Sequence, residues 1–271
     1  MLCRSMQHKG RPFVFIKKMY VYPKLIGGIG NQLFILAAAM KYAQSTGRTL
    51  IFTEEQYANP HCPADKSIAE LFPSIPTISS KKEPCIELSN GIFDYKEYPD
   101  VPSYEVVCIS GYNQHSKFVP EEMKEFANYL PKVSFDGSNT CFLHVRRTDY
   151  IGLPHLELNL ELYWKRALQT VDLSVELLIL SDDMEWASKN IPLIDPSRIW
   201  KTYDKPLTAL ETMYIMSKCE KGAICANSTL SWWGAWLNKQ RIITMPVPWS
   251  YVNIDENLGI YFSEVQKIKI T

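Results

Sequence analysis

The sequence predicts an α/β fold in which short strands alternate with helices. Three observations support this: β-branched runs recur along the chain, helical patterns follow most of them, and polar or glycine-rich segments stand where the runs end. With 271 residues, the chain is long enough for two linked domains of ordinary size. Its composition, 46% hydrophobic and 21% charged, is that of an ordinary globular enzyme.

The charge balance and the cysteines exclude several classes of function. The formal net charge is zero, so we expect no bulk attraction to nucleic acid, and any anion site must be local. The seven cysteines are scattered without a Cys-x-x-Cys pair, which excludes zinc-finger spacing. Their odd number argues against a complete disulfide framework, and Cys108, Cys141 and Cys225 lie in apolar runs typical of buried thiols. A reducing, cytoplasmic location is the simplest inference.

Residues 1–18 are predicted to be a leader that need not be ordered. The segment is basic, and its apolar patch at residues 13–16 is too short for a signal-peptide core. No run in the sequence approaches the ~18 apolar residues that cross a bilayer. Peripheral attachment to the cytoplasmic face of a membrane stays open.

The first α/β unit is compact. It is predicted as a strand at residues 20–26, a glycine-rich turn at 27–30, a helix at 31–45 and a second strand at 48–53. Gly47 suits the end of the helix, because glycine tolerates the left-handed backbone found there. This unit gives the α/β class its clearest support.

The middle of the chain is less regular. Residues 57–102 are rich in Pro, Ser and Lys and are predicted as short helices and loops with at most one strand. A strand at 106–110 and a helix at 121–130 follow, and Pro131 ends the helix. The polar segment 134–140 is the best candidate for a domain boundary.

A second α/β unit follows that boundary. Its predicted elements are strands at 141–145, 176–180, 222–226 and 242–245, and helices at 160–171, 184–190, 207–218 and 230–238. We therefore predict two domains, residues 19–137 and 138–271. Because ligands of open α/β sheets bind beyond the carboxyl ends of the strands, we expect a cleft between them.

The strand at 141–145 ends in a cluster of charged side chains. Arginine suits a pyrophosphate, because its planar fork donates paired hydrogen bonds and keeps its charge. His144 and Arg146 are two residues apart on an extended chain and share a side, so Arg146 is the candidate for direct phosphate contact. Arg147 is expected to brace the loop against Asp149. The alternative is a surface ion-pair cluster without a ligand.

Two strand-to-helix junctions carry features of anion sites. Gly28 and Gly30 allow close approach of the backbone to a ligand, and Asn31 at the mouth can donate and accept hydrogen bonds. Ser228 and Thr229 either cap the following helix or, with its free N–H groups, hold a phosphate. The first junction lacks both the Walker lysine and a third glycine, so a simple tight turn is an equal alternative.

Asp182 and Asp183 follow the strand at 176–180. Carboxylates at such an edge accept hydrogen bonds from a base or a ribose, and one of the two is alternatively a helix N-cap. The pair is not Asp-x-Asp, and no third carboxylate or histidine is evident nearby. No metal site is therefore predicted.

Four motifs follow one another along the chain. They are Gly-Gly-Ile-Gly-Asn-Gln-Leu-Phe at 27–34, His-Val-Arg-Arg-Thr-Asp-Tyr at 144–150, Ser-Asp-Asp at 181–183 and Ser-Thr-Leu-Ser-Trp-Trp-Gly-Ala-Trp-Leu at 228–237. Together they resemble the α-1,2-fucosyltransferases of glycosyltransferase family 11. The arginine motif alone is shared with the α-1,6- and protein O-fucosyltransferases, and the tryptophan motif favours the α-1,2 group.

The resemblance implies a GT-B fold of two Rossmann-like domains facing a central cleft. It implies an inverting enzyme that moves L-fucose from GDP-β-L-fucose, a co-substrate, to the 2-hydroxyl of a galactose-terminated glycan. No cofactor and no obligatory metal are implied. The catalytic residues would be Arg146, in contact with the β-phosphate, and Asn31, near the reacting atoms.

The resemblance also implies a set of substrate-binding residues. They are Gly28, Gly30, His144, Arg147, Asp149, Asp182, Asp183, Ser228, Thr229 and Trp232. His144 and one of the two adjacent aspartates would lie near guanine, and Ser228 and Thr229 would bind phosphate. Asp149 is one candidate for the base that takes the acceptor proton.

Three other functions stay open. The protein is alternatively a transferase for another GDP-sugar, such as GDP-mannose, or another linkage; a non-catalytic sugar-nucleotide or glycan-binding protein; or a metal-dependent enzyme. The sequence determines neither the acceptor glycan nor the oligomeric state.

Overall fold

The computed structural model describes residues 18–57, 63–79, 85–238 and 242–271. The predicted leader, except Lys18, lies outside the described residues, as do Cys3 and Cys62. Every pairing between the strands of the described sheets is parallel, which confirms the α/β class. Across these described ranges, no helix has both the length and the apolar character needed to span a bilayer.

The first part of the chain builds a four-stranded sheet. Its elements are β1 (Tyr20–Pro23), α1 (Ile29–Thr46), β2 (Thr49–Leu50), β3 (Phe52–Thr53), α2 (Ile68–Leu71), β4 (Thr77–Ile78), β5 (Cys85–Ser89) and β6 (Val106–Ser110). The strand order is β2-β1-β6-β5, and β3 pairs with β4 in a separate small sheet. Gly47 ends α1 in the left-handed conformation, with φ of 68°, as predicted.

The second part builds a six-stranded sheet. Its elements are β7 (Thr140–Val145), α3 (Glu161–Leu168), β8 (Glu176–Ser181), α4 (Met184–Asn190), β9 (Ile199–Thr202), α5 (Ala209–Lys218), β10 (Gly222–Ile224), α6 (Thr229–Leu237), β11 (Ile243–Val247) and β12 (Val265–Lys269). The strand order is β12-β11-β10-β7-β8-β9. The strand that carries the arginine motif, β7, is therefore central, and all six of its residues are buried.

Residues 57–102 contain two strands, β4 and β5, where the sequence predicted at most one. In the six-stranded sheet, two edge strands were not predicted, and the strand predicted at 242–245 extends further than expected. Strands β9 and β12 lie at the two edges of the six-stranded sheet, none of their residues is buried, and neither has a continuous apolar run. Strand β11 continues through Pro246, where the sequence predicted its end. The proline is tolerated because β10 pairs with β11 only at Ile243 and Thr244, so the missing N–H breaks no bond of that ladder. Residues 121–128 form 3₁₀ turns instead of an α-helix.

Cys108, Cys141, Cys219 and Cys225 are thiols that form no disulfide bond. Cys108, Cys141 and Cys225 are buried, as their apolar surroundings predict, and burial raises the pKa of Cys141 to about 12. These three side chains therefore serve as small apolar groups in the interior.

Helices α1 and α6 pack directly against each other. The ring of Phe34 lies 4.6 Å from that of Trp232 and 5.2 Å from that of Trp233, and all three side chains are fully buried. The indole N–H of Trp233 also donates to the backbone carbonyl of Gly30 at 2.9 Å. This packing brings the beginnings of the two helices together, although one follows the four-stranded sheet and the other the six-stranded sheet.

Candidate active site

A cavity of about 460 Å³ is lined by residues that follow strands of both larger sheets. Residues that follow β1, β6, β7, β10 and β11 all contribute to its wall. Among the predicted site residues, the cavity is lined by Gly28, Gly30, Asn31, Arg146, Asp149, Ser228 and Thr229. The other predicted residues, His144, Arg147, Asp182, Asp183 and Trp232, do not line it. The site therefore contains parts of three of the four motifs.

The first turns of α1 and α6 are joined at Asn31. Its side-chain oxygen accepts a hydrogen bond from the hydroxyl of Thr229 at 2.9 Å and another from the amide of Gln114 at 3.0 Å. Gly30 faces the same contact: a Cβ built there would lie 2.6 Å from the hydroxyl oxygen of Thr229 and 2.8 Å from the backbone nitrogen of Leu230. Glycine is thus needed at position 30 because there is no room for a side chain.

The N-termini of α1 and α6 have no side-chain caps. Gly28 and Ser228 occupy the cap positions, neither makes a capping hydrogen bond through a side chain, and neither helix has an acidic residue in its first turn. Three other helices are capped, α2 by Ser67, α4 by Asp183, and α5 by Thr208 together with Asp65. The two cavity-facing helices therefore present N–H groups and the positive ends of their dipoles to the same space.

Arg146 faces this space from the end of β7. Its side chain is 29% exposed and forms ion pairs with Asp149 at 2.6 Å and with Asp182 at 3.1 Å. The expected pairing of Asp149 with Arg147 is wrong. The chain turns after β7, with the N–H of Tyr150 donating to the carbonyl of Arg147 at 2.7 Å, and this turn carries Asp149 back over Arg146.

Arg147 points away from the cavity and braces the start of α4. Its guanidinium lies 3.9 Å from the centre of the Trp186 ring, and its Nε donates to Asp183 at 3.1 Å. The predicted bracing role is thus retained with a different partner.

The two adjacent aspartates hold protein groups in this structure. Asp183 caps α4 by accepting the backbone N–H of Trp186 at 3.1 Å, which is the alternative that the sequence left open. Asp182 accepts the N–H of Arg147 at 2.9 Å and both the N–H and the hydroxyl of Thr148. Burial raises the pKa of Asp182, but the Thr148 hydroxyl, the Arg146 charge and the Arg147 N–H together hold it below its ordinary value. An ionised Asp182 therefore fixes the loop at residues 146–149, which we call the arginine loop.

His144 lies beneath the loop and is 2% exposed. Its Nδ1 has no hydrogen-bond partner. Burial and, to a smaller extent, the charge of Arg146 lower the pKa of His144, Asp182 opposes both, and the resulting pKa is about 3. The imidazole is neutral at ordinary pH and, as placed here, does not reach the cavity.

Trp232 is a core residue, contrary to its predicted contact with substrate. It has no exposed surface, and its indole N–H donates to the carbonyl of Ile260 at 2.6 Å. The reason is the packing of α6 on α1, which turns this ring toward Phe34.

Several residues that line the cavity were not predicted from the sequence. Tyr112 and Gln114 follow β6, so the rule that sites lie beyond strand ends would have found them. Trp249 follows β11 after the cis peptide bond between Val247 and Pro248, and His155 lies in a loop that carries no sequence signal. In the parts of the chain that the structure describes, no group of three or more His, Cys, Asp or Glu side chains is placed to hold a metal ion.

The sequence matches the family model described as glycosyl transferase family 11 over residues 92–253, which is more than half of the chain. The chain belongs to glycosyl transferase family 11. This family 11 chain is 28% identical to the O-antigen biosynthesis glycosyltransferase WbnK of Escherichia coli, in a match that covers 84% of the chain and 94% of WbnK. It is 26% identical to an α-1,2-colitosyltransferase of Escherichia coli, with 84% and 92% covered.

Solved structures of two other proteins share the fold. POFUT1 in complex with GDP aligns with a TM-score of 0.52 at 11% identity, covering 84% of this chain and 98% of POFUT1. The fucosyltransferase NodZ from Bradyrhizobium aligns with a TM-score of 0.50 at 16% identity, covering 83% and 94%. At these identities the likeness concerns the fold.

Proposed function

We propose that this family 11 glycosyltransferase transfers L-fucose from GDP-β-L-fucose to the 2-hydroxyl of a galactose residue in a glycan, with inversion at the anomeric carbon. One observation carries the proposal: two uncapped helix N-termini and Arg146 meet in one cavity. The motifs that resemble α-1,2-fucosyltransferases, the α-1,2-colitosyltransferase relative and the shared fold of NodZ and POFUT1 support it. In this proposal the two larger sheets are the two halves of a GT-B fold, divided near residue 137, and the cavity is the central cleft.

The site would hold a diphosphate mainly by directed hydrogen bonds. Around the arginine loop three carboxylates outnumber two guanidinium groups, so net charge alone does not attract a phosphate. The backbone N–H groups that begin α1 and α6 supply the missing donors. Asp149 is 59% exposed and can turn to solvent, which would release donor groups of Arg146 for the β-phosphate.

The chemistry follows from that placement. As the bond between C1 of fucose and the diphosphate oxygen breaks, its electron pair leaves with GDP, and negative charge grows on the phosphate. Arg146 and the N–H groups near Ser228 would stabilise this charge, and preorganised donors of this kind are each worth roughly 3 kcal/mol. The acceptor hydroxyl attacks C1 from the opposite face, which inverts its configuration, and its proton passes to a base at the cavity wall, for which Asp149 is the candidate. Asn31, held by Thr229 and Gln114, would border the reacting atoms. No cofactor or metal takes part in this proposal.

A second candidate donor sugar is colitose. The match to an α-1,2-colitosyltransferase favours it, since that relative shares most of its length with this chain. Thermal melting of the protein with GDP, GDP-fucose, GDP-mannose and a colitose donor would rank the nucleotides, and an acceptor screen with galactosides would then establish turnover.

The decisive variant is Arg146→Ala, compared with Arg166→Ala as a control. Arg166 lies on α3, outside the cavity lining, and donates to backbone carbonyls near the C-terminus. We expect Arg146→Ala to lower fucosyl transfer by about a hundredfold or more with the fold intact by circular dichroism. Near-normal turnover in that variant would refute the assignment of Arg146.

A further inference from the structure

A second cavity, of about 230 Å³, lies between the later turns of α1 and the loop at residues 95–100. Helix α1 contributes Lys41, Tyr42 and Ser45, and the loop contributes Tyr95, Glu97 and Tyr98. None of the residues that line this cavity lines the candidate active site. It is therefore a separate feature, which the chemistry proposed above does not use.

Aromatic rings form one wall of the second cavity. Phe118 is buried, and its ring centre lies 4.8 Å from that of Tyr95 and 5.7 Å from that of Tyr98. Tyr98 meets Tyr42 edge to face at 6.0 Å and donates its hydroxyl proton to Asn113, a fully buried residue. These mutual contacts fix the rings, so the wall is preformed.

Polar groups of both signs surround the rings. Glu97 and Asp100 bring carboxylates, of which Asp100 pairs with Arg48 at 3.8 Å, and Ser45 brings a hydroxyl group. The ammonium groups of Lys41 and Lys117 lie 4.9 Å and 5.6 Å from the ring centre of Tyr95. The carboxylates disfavour a phosphate or another anion, the ammonium groups disfavour a cation, and the polar rim disfavours an aliphatic chain. A neutral ring with many hydroxyl groups fits best, because its C–H faces pack on aromatic rings while its hydroxyls donate to carboxylates.

Two elements run from the active-site cavity to the second cavity. The first turn of α1 lines the active-site cavity, and its later turns line the second cavity. Ile92 and Phe93 line the active-site cavity, and Tyr95, two residues later, lines the second cavity. Along α1, the eight helical rises between Gly30 and Ala38 span about 12 Å. An oligosaccharide of several sugar units is long enough to span this distance.

We propose that the second cavity is a subsite for a neutral sugar unit of the acceptor glycan, remote from the galactose that receives fucose. The proposal rests on the proposed fucosyl transfer to a glycan. It predicts that the enzyme distinguishes a long acceptor from a short one by contacts outside the reaction centre.

The test compares two acceptors, methyl β-galactoside and a galactose-terminated tetrasaccharide. The variants are Glu97→Ala, which removes a rim carboxylate, and Ser45→Trp, which fills the cavity from the exposed face of α1. Glu122→Ala, an exposed glutamate outside the lining, is the control. We expect KM for the tetrasaccharide to rise about tenfold in Ser45→Trp, and less in Glu97→Ala, with KM for methyl β-galactoside unchanged.

A binding measurement separates this proposal from the proposed function. Saturation-transfer NMR with the tetrasaccharide, recorded without any sugar nucleotide, should show binding to the wild-type protein and its loss in Ser45→Trp. Retained binding and an unchanged KM in a folded Ser45→Trp variant overturn the subsite. A rise in KM that is equal for both acceptors also overturns it, because the cavity would then only support the active site. Absence of transfer with intact NMR binding overturns the fucosyl-transfer function alone.

Discussion

The hydroxyl group of Thr229 donates a hydrogen bond of 2.9 Å to the side-chain oxygen of Asn31, and this bond joins the first turns of two helices that are far apart in the sequence. The tryptophan motif and the glycine motif are therefore two sides of one site. Because Gln114 donates to the same oxygen, the amide of Asn31 has a fixed orientation. The uncapped ends of α1 and α6 are held in register with each other at the cavity.

Replacing Gly30 by alanine should separate these helix ends. The added methyl would lie within 3 Å of backbone atoms of Thr229 and Leu230. Because these are backbone atoms, the movement of a flexible side chain cannot relieve the clash. We expect the free energy of unfolding to fall by about 1–3 kcal/mol, as for other overpacked sites. Urea denaturation would measure it. Gly28→Ala is the matched control, because nothing lies within 4 Å of its Cβ position, and its loss should stay below about 1 kcal/mol. Equal losses would contradict the close contact at position 30.

Replacing Asp149 by asparagine should strengthen the binding of GDP. The carboxylate of Asp149 competes with a phosphate for Arg146, and the pair is partly exposed. Such an ion pair is worth up to about 1 kcal/mol, so we expect Kd for GDP to fall by up to about fivefold. Isothermal titration calorimetry would measure Kd. Glu185→Gln, which removes an exposed charge paired with Lys189, should leave Kd unchanged. Weaker binding by Asp149→Asn would show that Asp149 organises the site instead of competing for it.

Replacing Arg147 by alanine should reduce stability more than catalysis. Arg147 stacks on Trp186 and pairs with Asp183, so its loss removes a cation–π contact and a partly exposed ion pair. Together these are worth about 1 kcal/mol in the free energy of unfolding. Lys189→Ala is the control, because it removes an exposed ion pair with Glu185 on α4, the helix that Arg147 contacts. It should lower the free energy of unfolding, measured by urea titration, by less than about 0.5 kcal/mol. A loss of turnover as large as that expected for Arg146→Ala would instead place Arg147 at the substrate.

Stability should fall when the pH is lowered from 7.5 to 5. Burial lowers the pKa of His144 to about 3 in the folded protein, whereas the unfolded chain takes up a proton near the ordinary histidine value. Between these two pKa values, protons bind preferentially to the unfolded state. The stabilisation from neutral His144 is therefore fully present above the pKa of the unfolded state and is lost progressively as the pH falls below it. At pH 5 this group alone costs about 2 kcal/mol of unfolding free energy relative to pH 7.5.

The variant His144→Gln isolates this contribution. Its unfolding free energy, measured by urea titration, should change less between pH 7.5 and 5 than that of the wild-type protein, whatever its absolute stability. His155→Gln, at an exposed histidine, should keep the wild-type pH dependence. An identical pH dependence in His144→Gln and the wild-type protein would rule out a buried neutral imidazole at position 144.

Local pattern was sufficient for the central strands and for the positions of the motifs. Strands β6 and β7 are buried on both faces, so their apolar runs are continuous and visible in the sequence. The edge strands β9 and β12 were missed because none of their residues is buried, so they lack a continuous apolar run. The cavity lining supplied by Gly28, Asn31, Arg146 and Ser228 also agrees with the general rule for strand ends.

The partner of each polar side chain depended on the three-dimensional structure. Asp149 pairs with Arg146 because the chain turns after β7, and no spacing rule for extended chain anticipates that turn. Ser228 occupies a cap position without capping, while the hydroxyl of the next residue reaches Asn31 on another helix. Trp232 has the sequence context of a motif residue but faces the core, because α6 packs on α1.

The sequence by itself determined the α/β class, the central strands and the residues at their carboxyl ends, because periodicity and strand-end chemistry are local properties. Only the tertiary structure decided which of those residues share a cavity, which are capped or buried, and which ion pairs form. The reason is physical: a helix N-terminus becomes an anion site only when no side chain caps it, and that depends on neighbours far away in the chain.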